Sequence, residues 1–105
     1  MWQQLVTMRD KVLIASANIC QDDGQEWTLE YFLQTFEGLG GEDLYSLRVD
    51  KKTLKGDLAE SEETFTITNS YGDALAMAEA FAAGTVPPSV LLEMADEWLT
   101  EVAIA

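Results

Sequence analysis

Apolar residues recur at helical spacing along the first fifth of the chain: Leu5, Met8, Val12, Ala15 and Ile19, with Val6 and Leu13 widening the stripe. The spacing predicts one amphipathic helix over residues 2–20, with 11–16 alternatively legible as a short strand. Gln21-Asp22-Asp23-Gly24 interrupts the stripe. Asp23, followed three residues later by Glu26, has the form of a capping box. It predicts a second helix running to about Glu37, with Leu29, Phe32, Leu33 and Phe36 inward and Trp27 and Tyr31 flanking them. Gly38, Gly40 and Gly41 stop it.

The period then changes to two. In residues 44–50, Tyr45, Leu47 and Val49 share one face. In residues 64–68, Phe65 and Ile67 share a face with threonines opposite. Both segments predict strands, paired as a hairpin across a long connection, 51–63. That connection holds Lys51, Lys52 and Lys55, then turns abruptly acidic at Asp57, Glu60, Glu62 and Glu63. Ser70 with Asp73 three residues on predicts a helix cap, and a short Ala-rich helix ends at Gly84 with Leu75, Ala78 and Phe81/Ala82 inward. Pro87-Pro88 opens a last helix whose buried stripe is Leu91, Met94, Ala95, Trp98 and Val102. The expected fold is a single α+β domain, order α-α-β-β-α-α, with about four helices covering a small antiparallel sheet.

Charge changes this picture most. The 105 residues hold six Lys and Arg, nineteen Asp and Glu and no His, so the net charge is 6 − 19 = −13. From Asp57 onward no Lys or Arg occurs, while ten acids do. A magnitude of about 2–8 suffices to keep a small domain soluble. A one-sign surface beyond that repels nucleic acid and anionic membrane and attracts basic protein surfaces. At 48% hydrophobic, with three Trp, three Tyr and four Phe, the chain is too apolar to be a disordered acidic tail.

Catalytic and metal chemistry find little footing. Cys20, the one cysteine, lies on the first apolar stripe and reads as a small buried hydrophobe. Without His it lacks the usual base. An EF-hand loop with Gly24 at its sixth position would place Asp23 fifth and Glu30 twelfth, but Ile19 and Gln21 stand where two carboxylates are required. Gly41-Glu42-Asp43-Leu44 lacks the serine that carries the arm of acyl carrier proteins. The acid pairs Asp22/Asp23, Glu62/Glu63 and Asp96/Glu97 are adjacent in sequence, so they diverge rather than converge on a substrate. Arg9, Lys11 and the apolar run before Cys20 lack the small residues of a lipoprotein signal, and no run approaches a membrane span. The expectation is a cytoplasmic, non-enzymatic protein without cofactor or metal.

Candidate partner-binding residues fall in three groups. Glu93, Glu97 and Glu101 follow one another at i,i+4 in the last helix with Asp96 beside them. No cation offsets them, although like charges at that spacing destabilise a helix. Four residues rise about 6 Å, so such a row is a rigid ladder of carboxylates; a merely solvated outer face has the same sequence signature. The second group is Asp22, Asp23, Glu26 and Glu30, and the third Asp57, Glu60, Glu62 and Glu63. Trp2, Trp27 and Trp98 read as core or core edge, and any left exposed would anchor an interface.

In size, acidity and lack of catalytic groups the chain resembles the small inhibitors of phages and mobile elements, anti-CRISPR and anti-restriction proteins among them, some of which mimic DNA. The resemblance rests on composition over the whole chain. It implies that carboxylates occupy a Lys- and Arg-lined groove of a nucleic-acid-binding complex and block its substrate. Two alternatives stay open: an immunity protein against a basic nuclease toxin, and a phage assembly accessory protein in which acids only solubilise.

Overall fold

The computed structural model of the chain describes residues 7–104, with side chains to residue 100; the predictions for Trp2, Leu5, Val6 and Val102 fall outside that range. Four strands come first, β1 (Thr7–Cys20), β2 (Glu26–Glu37), β3 (Asp43–Thr53) and β4 (Leu58–Glu63), then two helices, α1 (Tyr71–Ala83) and α2 (Leu91–Ile104). A single 3-10 turn, Pro88–Val90, leads into α2. The strands form one antiparallel meander in the order β1-β2-β3-β4. The expected α-α-β-β-α-α arrangement is therefore corrected to β-β-β-β-α-α, with two helices rather than four.

Both misread segments have a physical explanation. In β2, Leu29 and Leu33 lie in the core, while Phe32 and Phe36 project from the opposite face. Each pair is spaced by four, which satisfies a period of two as well as one of 3.6. In β1 the register slips between Met8 and Asp10 and again between Leu13 and Ala15. A bulge adds one residue and restores the face only after an odd step. Val12, Ala15 and Ile19 thereby reach the same side of the sheet, opposite Leu33, Tyr31 and Trp27. The helical spacing is genuine, but a bulged strand produces it.

The three hairpin turns are built alike. In Gln21–Gln25, Gly38–Glu42 and Thr53–Asp57, the first residue's amide donates to the fifth residue's carbonyl, and the fourth residue's amide returns to the first carbonyl. The fourth residue is Gly24, Gly41 or Gly56, with φ of 83°, 83° and 95°. This is a turn closed by a left-handed residue, the geometry that favours glycine. Asp23 caps the first turn through its Oδ1, which accepts the Gln25 amide at 2.9 Å, rather than starting a helix. The predicted long connection 51–63 shrinks to the third of these turns, and β4 occupies most of the rest.

The expected strand at 64–68 continues along β3 only in part. The Thr64 amide donates to the Leu47 carbonyl, and Tyr45 exchanges bonds with Ile67 and Thr68. Phe65 and Thr66 are looped out between these points, so Phe65 is exposed while Thr64 is buried and its hydroxyl accepts the Leu47 amide. The expected strand at 44–50 does form, with Tyr45, Leu47 and Val49 buried together.

Helices cover one side of the sheet. Leu29, Tyr31, Leu33, Tyr45, Leu47 and Val49 meet Ala74, Met77, Ala78 and Phe81 of α1 and Leu91 and Ala95 of α2 in a single core. Complete burial of a side chain such as Leu29 or Leu91 contributes about 1.5–3 kcal/mol. Ser70 Oγ caps α1 by accepting the Asp73 amide, as the sequence predicts. Trp98 packs edge-on against Phe81 at 6.0 Å between centroids, and Trp27 is half-buried beneath the Lys51 ammonium. Cys20, expected in the core, is exposed at the end of β1.

Candidate acidic interface

The other side of the sheet contributes nothing to that core, and it holds three of the six cations, Lys11, Arg48 and Lys52. Lys11 lies over the Phe32 ring at 4.4 Å. Lys52 pairs with Glu30 across β2 and β3. Asp50, almost fully buried, accepts bonds from Ser61 Oγ at 2.7 Å and Arg48 Nε at 2.8 Å. Burial alone would raise the Asp50 pKa, but these two bonds and the Arg48 charge outweigh it and hold the carboxyl below its ordinary 3.8. At the edge of the sheet, Arg9 pairs with Glu37 and Asp43. The sheet thus neutralises much of its own charge by cross-strand pairing.

On the helical side the acids of α2 have no such compensation among the described residues, and the one cation facing β4, Lys51 opposite Glu60, lies over the Trp27 ring. Glu60 and Glu62 stand opposite Lys51 and Val49 on β3, so they project on the core side, where α2 packs against β4. Glu63 stands opposite Arg48 and projects to the other side. On α2, Glu93, Asp96 and Glu97 are exposed beside the buried stripe of Leu91 and Ala95. Glu101 is on the same helix, its side chain outside the described residues. Glu60 and Glu62 of one predicted acidic group and Glu93, Asp96 and Glu97 of another, far apart in sequence, therefore share one side of the molecule, while Asp57 and Glu63 lie elsewhere.

Between the segment after β4 and α2 runs a groove of about 330 Å³ lined by Thr64, Phe65, Thr66 and Ile67 on one wall and Leu92, Ala95, Asp96 and Leu99 on the other. Phe65 and Leu92 are 60% and 45% exposed, so they offer apolar anchor points within an otherwise anionic surface. Sequence reasoning missed this groove. Its one signal was Leu92, an apolar residue on the polar side of the α2 stripe; Phe65 was expected only to share a strand face with Ile67.

The second predicted group is divided as well. Asp22 and Asp23 are exposed in the first hairpin turn, and Glu26 opens β2. The first and third turns meet at one end of the sheet, where Glu26 and Asp57 line a shallow cleft with Lys55. Glu30 is not with them, being half-buried and paired with Lys52. No three carboxylate or cysteine groups among the described residues converge as a metal would require. No helix among those residues is long and apolar enough to cross a membrane.

No curated protein and no solved structure matches the chain. One family model does, over residues 10–101, which span all four strands and both helices as far as Glu101. The chain belongs to that family, DUF6514, a family of unknown function.

Proposed function

We propose that this protein is an acidic, non-catalytic binding protein that occupies a basic surface of a nucleic-acid-binding complex and excludes that complex's substrate. The observation that carries the reading is the segregation of charge. Residues 57–105 hold ten acids and no Lys or Arg, and β4 and α2 bring five of these acids, Glu60, Glu62, Glu93, Asp96 and Glu97, to one side beside an apolar groove. Salt bridges temper the sheet, whereas among the described residues no cation pairs with the acids of α2 and Lys51 alone faces those of β4. A basic segment with an aliphatic or aromatic residue between its cations fits both components, with charge steering the encounter and Phe65 and Leu92 offering contact area.

The test is a tagged pull-down at low and high salt, run beside a Glu93→Gln/Asp96→Asn/Glu97→Gln variant of unchanged circular dichroism. Retention of a basic nucleic-acid-binding complex that elutes with salt and is lost in the variant is the expected result. Equal capture by the variant would rule out the α2 face.

A further inference from the structure

The two edges of the sheet differ in a way the acidic interface does not use. The β4 edge is short and carries Glu60, Glu62 and Glu63 in six residues, the kind of charged edge that blocks pairing with another strand. The β1 edge is fourteen residues long and, among the described residues, pairs only with β2. Its first seven residues, Thr7 to Leu13, are all exposed. Among them Met8, Val12 and Leu13 are 46%, 45% and 48% exposed. Val12 projects on the helical side of the sheet and Met8 and Leu13 on the other, so apolar surface flanks the open backbone edge from both sides.

We propose that this segment of β1 is the contact through which two copies of the chain join, β1 against β1 antiparallel, into a continuous sheet. Charge selects the second copy's own β1 as the occupant. A protein of net charge −13 repels itself nearly everywhere. With Arg9 and Lys11 against Asp10, however, the side chains of β1 sum to 2 − 1 = +1, with Arg9 already paired to Glu37 and Asp43, whereas those of β4 sum to −3. Joining two β1 strands therefore brings together mixed charges, and joining two β4 strands would bring together six carboxylates. The contact is isologous and uses up the β1 edge of each copy, while the acidic β4 edges remain outermost. The assembly closes at two copies.

Sedimentation velocity on the full chain, over a range of concentrations at low and high salt, tests this directly. A dimer that strengthens with salt, as the self-repulsion is screened, is expected. The Val12→Lys/Leu13→Lys variant should sediment as a monomer under the same conditions, and Glu62→Lys/Glu63→Lys should stay dimeric. Hydrogen exchange on the unmodified protein gives a second reading that needs no variant. Amides of residues 7–13 should gain protection as concentration rises, while those between β2 and β3 stay protected throughout. A monomer at every concentration and salt would overturn the proposal, as would a dimer that survives the β1 substitutions or that leaves the 7–13 amides unprotected.

Discussion

The Tyr31 hydroxyl donates to the Val86 carbonyl at 2.9 Å, joining the middle of β2 to the linker between the two helices across 55 residues of sequence. Tyr31 is 2% exposed and Val86 7%, so neither group has water as an alternative partner. This bond fixes where the chain leaves α1 and therefore where α2 begins its run beside β4. Tyr31→Phe leaves the Val86 carbonyl without its donor and should cost about 1–3 kcal/mol. Urea unfolding measures the loss directly.

The same phenol gives an alkaline signature. Desolvation pushes the Tyr31 pKa from 10.0 up to about 12. A raised folded value means that its contribution is complete below pH 10 and disappears as the pH rises through about 12. Asp50 behaves oppositely: its depressed folded value gives stability that is present above 3.8 and lost as the pH falls through the folded value. Thermal melts across pH should show Tyr31→Phe flattening the alkaline decline and Asp50→Asn flattening the acid one.

Gly41 and Gly24 hold φ of 83°, with nothing near enough to obstruct an added methyl group. Replacing either by Ala therefore tests backbone conformation alone and should cost about 1–2 kcal/mol. Gly24→Asn should cost less than Gly24→Ala, because Asn tolerates the left-handed region better. Chemical denaturation of the three variants checks the order.

Gln34 and Ser46 sit opposite each other on β2 and β3, both almost completely buried, and the Ser46 hydroxyl donates to Gln34 Oε1 at 2.9 Å. Gln34 Nε2 is buried with no hydrogen-bond partner. Gln34→Leu alone strands the serine hydroxyl and should destabilise by about 1 kcal/mol or more. Combining it with Ser46→Ala removes the whole polar pair and should recover most of that loss. A double-mutant cycle in urea reads the coupling.

Self-repulsion among unpaired carboxylates makes stability depend on salt. The melting temperature of the unmodified protein should rise with added NaCl. Glu60→Gln/Glu62→Gln/Glu63→Gln should melt higher at low salt and respond less to NaCl, while losing part of its affinity for a basic partner. Differential scanning calorimetry at two salt concentrations settles the stability half of that expectation.

The acidic candidates were legible as residues but not as a surface. Runs of carboxylates without cations are visible in one dimension, whereas the proximity of β4 to α2 depends on a chain reversal through residues 64–90. Glu30 shows the converse. It clusters with Asp22, Asp23 and Glu26 in sequence, yet strand pairing places it against Lys52 on the neighbouring strand, β3.

Sequence alone determined the elements whose local signals agree. The Ser70 cap and Ala-rich run specify α1, the Pro87-Pro88 entry and spaced Leu91, Ala95 and Trp98 specify α2, and alternation through Tyr45, Leu47 and Val49 specifies β3. The excess negative charge of the C-terminal half is likewise a property of composition. Only the tertiary structure decided β1 and β2. Their apolar spacing suits a helix or a strand equally, because steps of four fit both periods and bulges convert steps of three. What selects the strand is pairing: glycine turns at Gly24 and Gly41 fold each segment onto its neighbour, and β3 supplies a ladder that satisfies the backbone of β2 while α1 covers Leu29, Tyr31 and Leu33. Those partners lie outside any local window, so their energy enters only when the whole chain is assembled.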